Sequence, residues 1–473
     1  MVRFPKNFLW GASSAAYQVE GNNIHSDMWA WERKQGWSRS GACCNSWELF
    51  DKDVDCLSEI GANAYRFSIE WARLFPKQGE LDQKALSRYV EQIGCLKSKD
   101  ITPIVCLHHF TNPAWLVKQY PSLWADERVV DHYLEFVRVV TDAVGGAVNW
   151  WLTFNEPMVY VLQSLVSGYF PPGRVALRRP LTGELMRAVK NLAVAHRQAY
   201  RLIKQVNPLA KVSVAQNIAH VVAHKQTMKH QNAAHRWDYF FHWMFLDALA
   251  GDKLDADLDG RAEMFLDEPA GDFPSLRNRP VKDHPLGSRD PVKSSDTLDF
   301  VGVNYYTRVF VRSVPFLLPP LGALPLYPEM KFKIGTILSW LIGARARGFK
   351  ADSMGHEIYP EGLLYVMEKA HVRYGKPIMV TENGVATKKD VLKGEALRGH
   401  VGSVAAALVK GIDVRGYLYW SLLDNYEWGS YAHKFGLYRV VRKDHFKRVP
   451  TAVAAEFKKI VTDAAAKHAS VAV

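Results

Sequence analysis

Eight short apolar runs, rich in β-branched and aromatic residues, recur at residues 8–10, 64–67, 103–107, 150–154, 212–215, 300–304, 378–381 and 417–420. Each ends at a polar or charged residue, the pattern of a strand buried along its length and open at its end. Longer stretches with apolar residues at helical spacing lie between them, at 51–59, 83–96, 129–144, 182–206 and 398–410. Strands that alternate with helices pair in parallel through crossovers. Eight such units favour an α/β fold of the closed (β/α)8 kind, one domain over residues 1–473, above an open doubly wound sheet.

The residues just past the strands carry the chemical information. They are Gln18, Arg66, His109, Asn155 with Glu156, Asn217, Asn304 with Tyr306, Glu382 with Asn383, and Ser421 with Asp424. In a barrel these positions converge on one mouth. Glu156 and Glu382, at the ends of the fourth and seventh strands, are placed to face each other there. Two carboxyls across a pocket are what glycosidic cleavage requires, one to protonate the leaving oxygen and one to meet the anomeric carbon.

Composition narrows the remaining classes. Of 473 residues 48% are hydrophobic and 23% charged, which excludes a disordered or fibrous chain. The net charge of +12 could attract an anionic partner. The basic residues are spread widely, however, without a nucleic-acid motif, and the modest cluster of Arg439, Arg442, Lys443, Lys447 and Arg448 reads as a solvated face. No nucleic-acid partner is expected. Cys43, Cys44, Cys56, Cys95 and Cys106 are odd in number and lack a C-x-x-C spacing, so free thiols in a reducing compartment, no metal and no cofactor are expected. Without a long uncharged apolar segment the expected location is cytoplasmic.

The main irregularity is an insertion after the sixth strand, at about 308–350. Residues 314–328 read VPFLLPPLGALPLYP, and 331–350 place Lys331, Lys333, Arg345, Arg347 and Lys350 around a run containing Ile337, Trp340 and Ile342. The second piece has the make-up of an interfacial helix. At the pocket rim, 314–350 would offer a contact for a hydrophobic or lipid-like aglycone, a membrane surface, or a second subunit in a homo-oligomer.

The motifs T-F-N-E-P (153–157), V-T-E-N-G (380–384), Y-Q-V-E-G (17–21), Y-R-F-S (65–68), G-V-N-Y-Y-T (302–307), S-G-Y-F-P-P-G (167–173) and W-S-L-L-D-N-Y-E-W (420–428) occur in this order. Together they resemble glycoside hydrolase family 1, over residue 8 to about 440, and S-D-M-W-A-W-E (26–32) is similar to its archaeal members. The resemblance implies a (β/α)8 barrel and a retaining, exo-acting β-glycosidase whose partner is a small β-glucoside, β-galactoside or β-fucoside. It implies that Glu156 is the acid/base and Glu382 the nucleophile of a double displacement, with Arg66 and Tyr306 holding Glu382. The Glu382 charge would then raise the pKa of Glu156. Gln18, His109, Asn155, Trp420, Glu427 and Trp428 match sugar-gripping positions, with Asn304, Tyr306 and Phe435 beside them.

Further expectations follow from the same resemblance. A carboxylate at Glu427 would repel a phosphorylated sugar, and Glu156, where thioglucosidase members carry glutamine, favours O-glycosides. Transglycosylation would use the same residues as hydrolysis. A barrel that binds sugar without catalysis is the alternative, and the two glutamates argue against it. The chain departs from the family pattern at H-F-T-N-P (109–113), at A-C-C-N-S-W-E-L (42–49) and in the shortened spacing from Glu427 to Phe435.

Overall fold

The eight runs become eight parallel strands: β1 (Leu9–Ser13), β2 (Ala64–Ser68), β3 (Thr102–Cys106), β4 (Trp150–Asn155), β5 (Lys211–Asn217), β6 (Val301–Asn304), β7 (Ile378–Asn383) and β8 (Val414–Trp420). They follow one another around a closed barrel, and β8 pairs with β1 from Leu9 opposite Gly416 to Ser13 opposite Trp420. The computed structural model describes residues 3–174, 183–256, 258, 262, 264–266, 296–315, 317, 321–326 and 350–469. The last strand starts three residues earlier than its apolar run, because Arg415 points to solvent and interrupts the hydrophobic pattern.

The expected helices form the outer ring as α1 (Phe50–Glu59), α2 (Gln83–Ser98), α3 (Arg128–Val144) and α4 (Gly183–Val206). Asp82 caps α2, accepting the Ala85 amide at 3.0 Å, which ends the preceding loop and satisfies a free N–H. On α3, Val129, Tyr133, Phe136, Val137, Val140 and Val144 are buried at the three- and four-residue spacing of one face. After β5 the ring continues as α5 (Met228–Asp238), a π-helical turn at Tyr239–Trp243, and α6 (Met244–Gly251). Then come α7 (Glu361–Tyr374), α8 (Asp390–Val409, longer than the expected 398–410) and α9 (Ala452–Ala469). The polar sequence of α5 hid it, since its buried face includes His230 and Asp238 as well as Trp237.

Inside the barrel, Ala64, Ile104, Cys106, Leu152, Ala215, Phe300, Met379 and Leu418 form a buried cluster separate from the larger one between strands and helices. This filling closes the lower barrel and leaves polar residues to line the upper end. Gly11 is required where β1 meets β2, since a Cβ there would lie 2.1 Å from the Ala64 carbonyl oxygen.

The first part of the insertion is sheet. Arg308–Ser313 pairs antiparallel with Ala323–Leu326 and parallel with His220–Ala223, which follows β5. Val309 and Val311 are buried, as are Leu321 and Ala323 within the apolar stretch 314–328. The helix expected within 331–350 lies outside the described residues, apart from Lys350.

The C-terminal basic cluster is corrected in part. Arg448 is buried against Asp53 at 2.8 Å, Arg442 lies 3.7 Å from the Tyr431 ring centroid, and Arg439 pairs with Asp390 at 3.2 Å. Arg448 and Arg442 thus tie the hairpin of Tyr438–Val441 and Lys447–Pro450 to the barrel, while Arg439, Lys443 and Lys447 are exposed as a solvated face would be. All five cysteines are free thiols. Among the described residues no helix is long and apolar enough to cross a membrane.

Gly11→Ala is expected to lower stability by about 1–3 kcal/mol, because the added methyl must displace β2 backbone. Gly94→Ala, on the exposed side of α2 with open space around it, is expected to leave stability unchanged or to raise it by up to about 1 kcal/mol. Denaturant midpoints of the two variants check both.

Candidate active site

Arg66 lies in the middle of β2, not past its end as its place in the sequence suggested; it is fully buried and forms an ion pair with Oε1 of Glu382 on β7. Tyr306 donates its hydroxyl to Oε2 of the same carboxylate at 2.6 Å. Burial works against the charge on Arg66, yet the adjacent Glu382 carries the balance and the guanidinium pKa is raised. Burial and then the Glu382 charge push the Tyr306 phenol well up, so it stays a donor. The other arm of Arg66 donates to Oδ1 of Asn155 at 2.6 Å, which links this carboxylate to the end of β4.

Glu156 ends β4 in a left-handed conformation, φ 46° and ψ 56°, immediately before Pro157 opens the helix Pro157–Leu165. Such a backbone is strained for a non-glycine residue and persists only where neighbours fix it. Here the Glu156 amide donates to the Ala215 carbonyl of β5 at 2.7 Å. Oε1 of Glu156 accepts from Asn304 Nδ2 at 2.9 Å and from Asn217 Nδ2 at 3.0 Å. The carboxyl pKa is pushed up to about 7, by burial first and by the Glu382 charge second. The order differs from the expectation that the Glu382 charge sets this value: removal from water is the larger cause.

The residues expected to grip a sugar lie together beside these carboxyls. Gln18 Nε2 donates to Glu427 Oε2 at 3.1 Å, and Trp420 Nε1 donates to Oε1 at 3.0 Å. Trp428 stacks on Tyr17 with ring centroids 6.2 Å apart, and His109 lies between the Trp420 and Trp428 rings at 5.9 and 6.1 Å. Phe435 is buried with Trp420 and packs on Tyr306, so the shortened spacing after Glu427 still delivers it to the pocket.

Two buried atoms in this shell have no hydrogen-bond partner among the described residues: Gln18 Oε1 and His109 Nδ1. Asn155 Oδ1 already accepts from Arg66 and Asn304, so Asn155 Nδ2 is the donor to His109 Nε2 at 3.2 Å. Burial, then Arg66 and His108, hold His109 well below the usual histidine range, so it is neutral with its proton on Nδ1. An unmet acceptor and an unmet donor match a hydroxyl-bearing ligand, because each hydroxyl both gives and takes.

Not every strand-end residue joins the pocket. Ser421 donates to the Leu423 carbonyl at 2.7 Å, and Asp424 accepts the Gly436 amide at 2.9 Å, so both hold the loop after β8. Thr381, which the sequence reading did not single out, and Asn217, named there only as a strand-end residue, belong to the scaffold of the site. Thr381 donates to Asn304 Oδ1 at 2.7 Å and fixes its amide orientation, and Asn217 reaches Glu156 directly. The position of Asn217 past a strand was a usable signal, whereas nothing in the sequence pairs it with Glu156. His356, 5.7 Å from the Tyr306 ring and 3.6 Å from Asp352, approaches from a loop with no readable pattern. At the rim, Trp37 and Tyr169 lie 4.7 Å apart, and Tyr169 donates to the Trp428 carbonyl at 2.9 Å. Among the described residues no group of three His, Cys, Asp or Glu side chains could hold a metal.

Known proteins resemble this chain along most of its length. The family model described as glycosyl hydrolase family 1 matches residues 1–465. The chain belongs to this family of retaining β-glycosidases. A curated β-galactosidase of Pyrococcus woesei is 30% identical over 92% of this chain and 92% of its own. A solved β-glycosidase of Pyrococcus horikoshii is 32% identical, with TM-score 0.79 and coverage of 97% and 95% of the two chains. The β-glucosidase of Thermotoga maritima in complex with deoxynojirimycin has TM-score 0.80 and 25% identity over 98% and 99%.

Arg66→Met leaves Glu382 buried without its cation. An expected loss of about 3–5 kcal/mol in unfolding free energy at pH 7, read by chemical denaturation, checks the weight of this pair.

Proposed function

We propose that the protein is an exo-acting β-glycosidase that hydrolyses terminal unphosphorylated β-D-glucosides, β-D-galactosides and β-D-fucosides, with Glu382 as nucleophile and Glu156 as acid/base. The observation that carries this reading is the contrast between the two carboxyls. Glu382 is clasped by the Arg66 guanidinium and the Tyr306 hydroxyl, a cation and a hydrogen-bond donor. Glu156 meets only neutral amides, and burial lifts it to about 7. One group is therefore charged and nucleophilic while the other holds a proton near neutrality.

The steps follow from that contrast. Glu382 attacks the anomeric carbon as Glu156 gives its proton to the departing oxygen, and the aglycone leaves as a neutral alcohol. Esterification removes the negative charge of Glu382, which lowers the pKa of Glu156. Now a carboxylate, Glu156 takes a proton from water as the water oxygen attacks the same carbon from the opposite face and frees Glu382. An alcohol in place of water gives transglycosylation through the same residues. Gln18, Trp420 and Glu427, buried and hydrogen-bonded to one another, support exo action as a site for a terminal sugar.

Glu427 does not exclude phosphorylated sugars by charge alone. Burial, followed by the Glu382 charge among the raising causes, pushes Glu427 up to about 8, which works against a carboxylate there. What supports an unphosphorylated sugar is that Gln18, Trp420 and Glu427 present no cation to a phosphate. The paired rings of Trp37 and Tyr169 beside Trp428 support an apolar aglycone.

Hydrolysis of aryl β-glycosides by wild type, Glu156→Ala and Glu382→Ala with added azide tests the assignment. Glu382→Ala is expected to yield the α-glycosyl azide and Glu156→Ala the β-azide; reversed products, or a wild type inert on glucoside, galactoside and fucoside, would overturn it. The pH profile gives a second check. Because Glu156 must start protonated and its carboxyl sits at about 7, kcat/KM is expected to fall as pH rises through about 7. That limb should vanish in Glu156→Ala on a dinitrophenyl glycoside, whose leaving group needs no proton.

A further inference from the structure

Asn217 and Asn304 are partners in strand register, opposite each other at the ends of β5 and β6, and the amide after Asn217 donates to the Asn304 carbonyl at 3.0 Å. Their side-chain amides converge on a single atom, Oε1 of Glu156. Glu156 itself is tied to β5 through its backbone. Three neighbouring strands thus fix one carboxyl oxygen, while Oε2 takes no hydrogen bond from any described residue.

A neutral carboxyl has one carbonyl oxygen, which accepts, and one hydroxyl oxygen, which carries the proton. Two N–H donors on Oε1 favour it as the carbonyl oxygen and disfavour a proton there. We propose that Asn217 is a positioning residue for proton transfer: paired with Asn304, it holds Oε1 of Glu156 as the acceptor and leaves Oε2 as the atom that delivers and recovers the proton. The inference rests on Glu156 being the acid/base.

The chemistry balances at this one atom. In the first step the Oε2–H bond breaks as the C–O bond to the aglycone breaks, the proton goes to the departing oxygen, and both Asn217 and Asn304 then donate to a carboxylate. In the second step Oε2 recovers a proton from the attacking water. Both amides lower the Glu156 pKa against the rise caused by burial and Glu382, so they also keep the group able to return to its basic form. Asn304 carries further duties, donating to Asn155 as well and accepting from Thr381. Asn217 has Glu156 as its side-chain partner and is half-buried, which makes it the cleaner residue to alter.

The test compares wild type, Asn217→Ala, Asn217→Ser and Glu156→Ala on an alkyl β-glucoside, whose leaving group must be protonated, and a 2,4-dinitrophenyl β-glucoside, whose leaving group need not be. For Asn217→Ala the expected result is a loss in kcat/KM of about 10-fold on the alkyl substrate and under about 2-fold on the dinitrophenyl one. The alkaline limb on the alkyl substrate should move up by about one pH unit, since a donor to the carboxylate is lost. Asn217→Ser, which keeps a shorter donor, should recover part of both effects. Equal losses on the two substrates with an unmoved limb would overturn the proposal and mark Asn217 as merely structural. Glu156→Ala separates this outcome from failure of the underlying assignment: if it too loses activity equally on both substrates, the acid/base role of Glu156 fails first.

Discussion

The ion pair between Arg66 and Glu382 is the constraint on which the pocket depends. A guanidinium with no access to solvent and a carboxylate beside it are tolerable only together, and each must also have its remaining polar atoms engaged. The structure meets most of that demand by extending outward, with Arg66 Nε left without a partner among the described residues. Arg66 binds Asn155, Asn155 binds His109 and Asn304, and Asn304 binds Glu156 and Thr381. Five strands therefore contribute to one polar network above the apolar filling of the barrel. Its connectedness explains why residues distant in sequence occupy fixed places: each side chain satisfies its neighbour, and few alternatives leave every buried group paired.

The barrel was legible because its strands are buried on both faces and read as unbroken apolar runs. Where a strand departs from that pattern, as β8 does at Arg415, its boundary shifted. The ring helices were legible where one face is apolar, as in α3, and not where buried polar residues replace it, as in α5 with Asp238 bound to His242 at 2.8 Å. The sheet in the insertion escaped notice because its pairing joins loops after two different strands, a contact that local pattern does not encode.

The site was legible at the level of residue type and strand end, and only through the motif set at the level of role. Glu156 and Glu382 stand at equivalent places in their strands, so spacing alone makes them symmetric. The asymmetry between them arises from what the fold brings near: a cation from β2 to one, and amides from β5 and β6 to the other. The same holds for Glu427, where a charge argument drawn from sequence weakens once burial is taken into account. Sequence gives the ionisable group, while its protonation belongs to the folded environment.

The three-stranded sheet outside the barrel joins the segment after β5 to the segment after β6. These same segments continue directly from Asn217 and Asn304. The wall on that side is therefore cross-braced, and it cannot widen for a bulkier leaving group without disturbing the two amides that grip Glu156. Trp37 and Tyr169, on the loops after β1 and β4, hydrogen-bond neither carboxyl, so adaptation to new aglycones has a freer route through them.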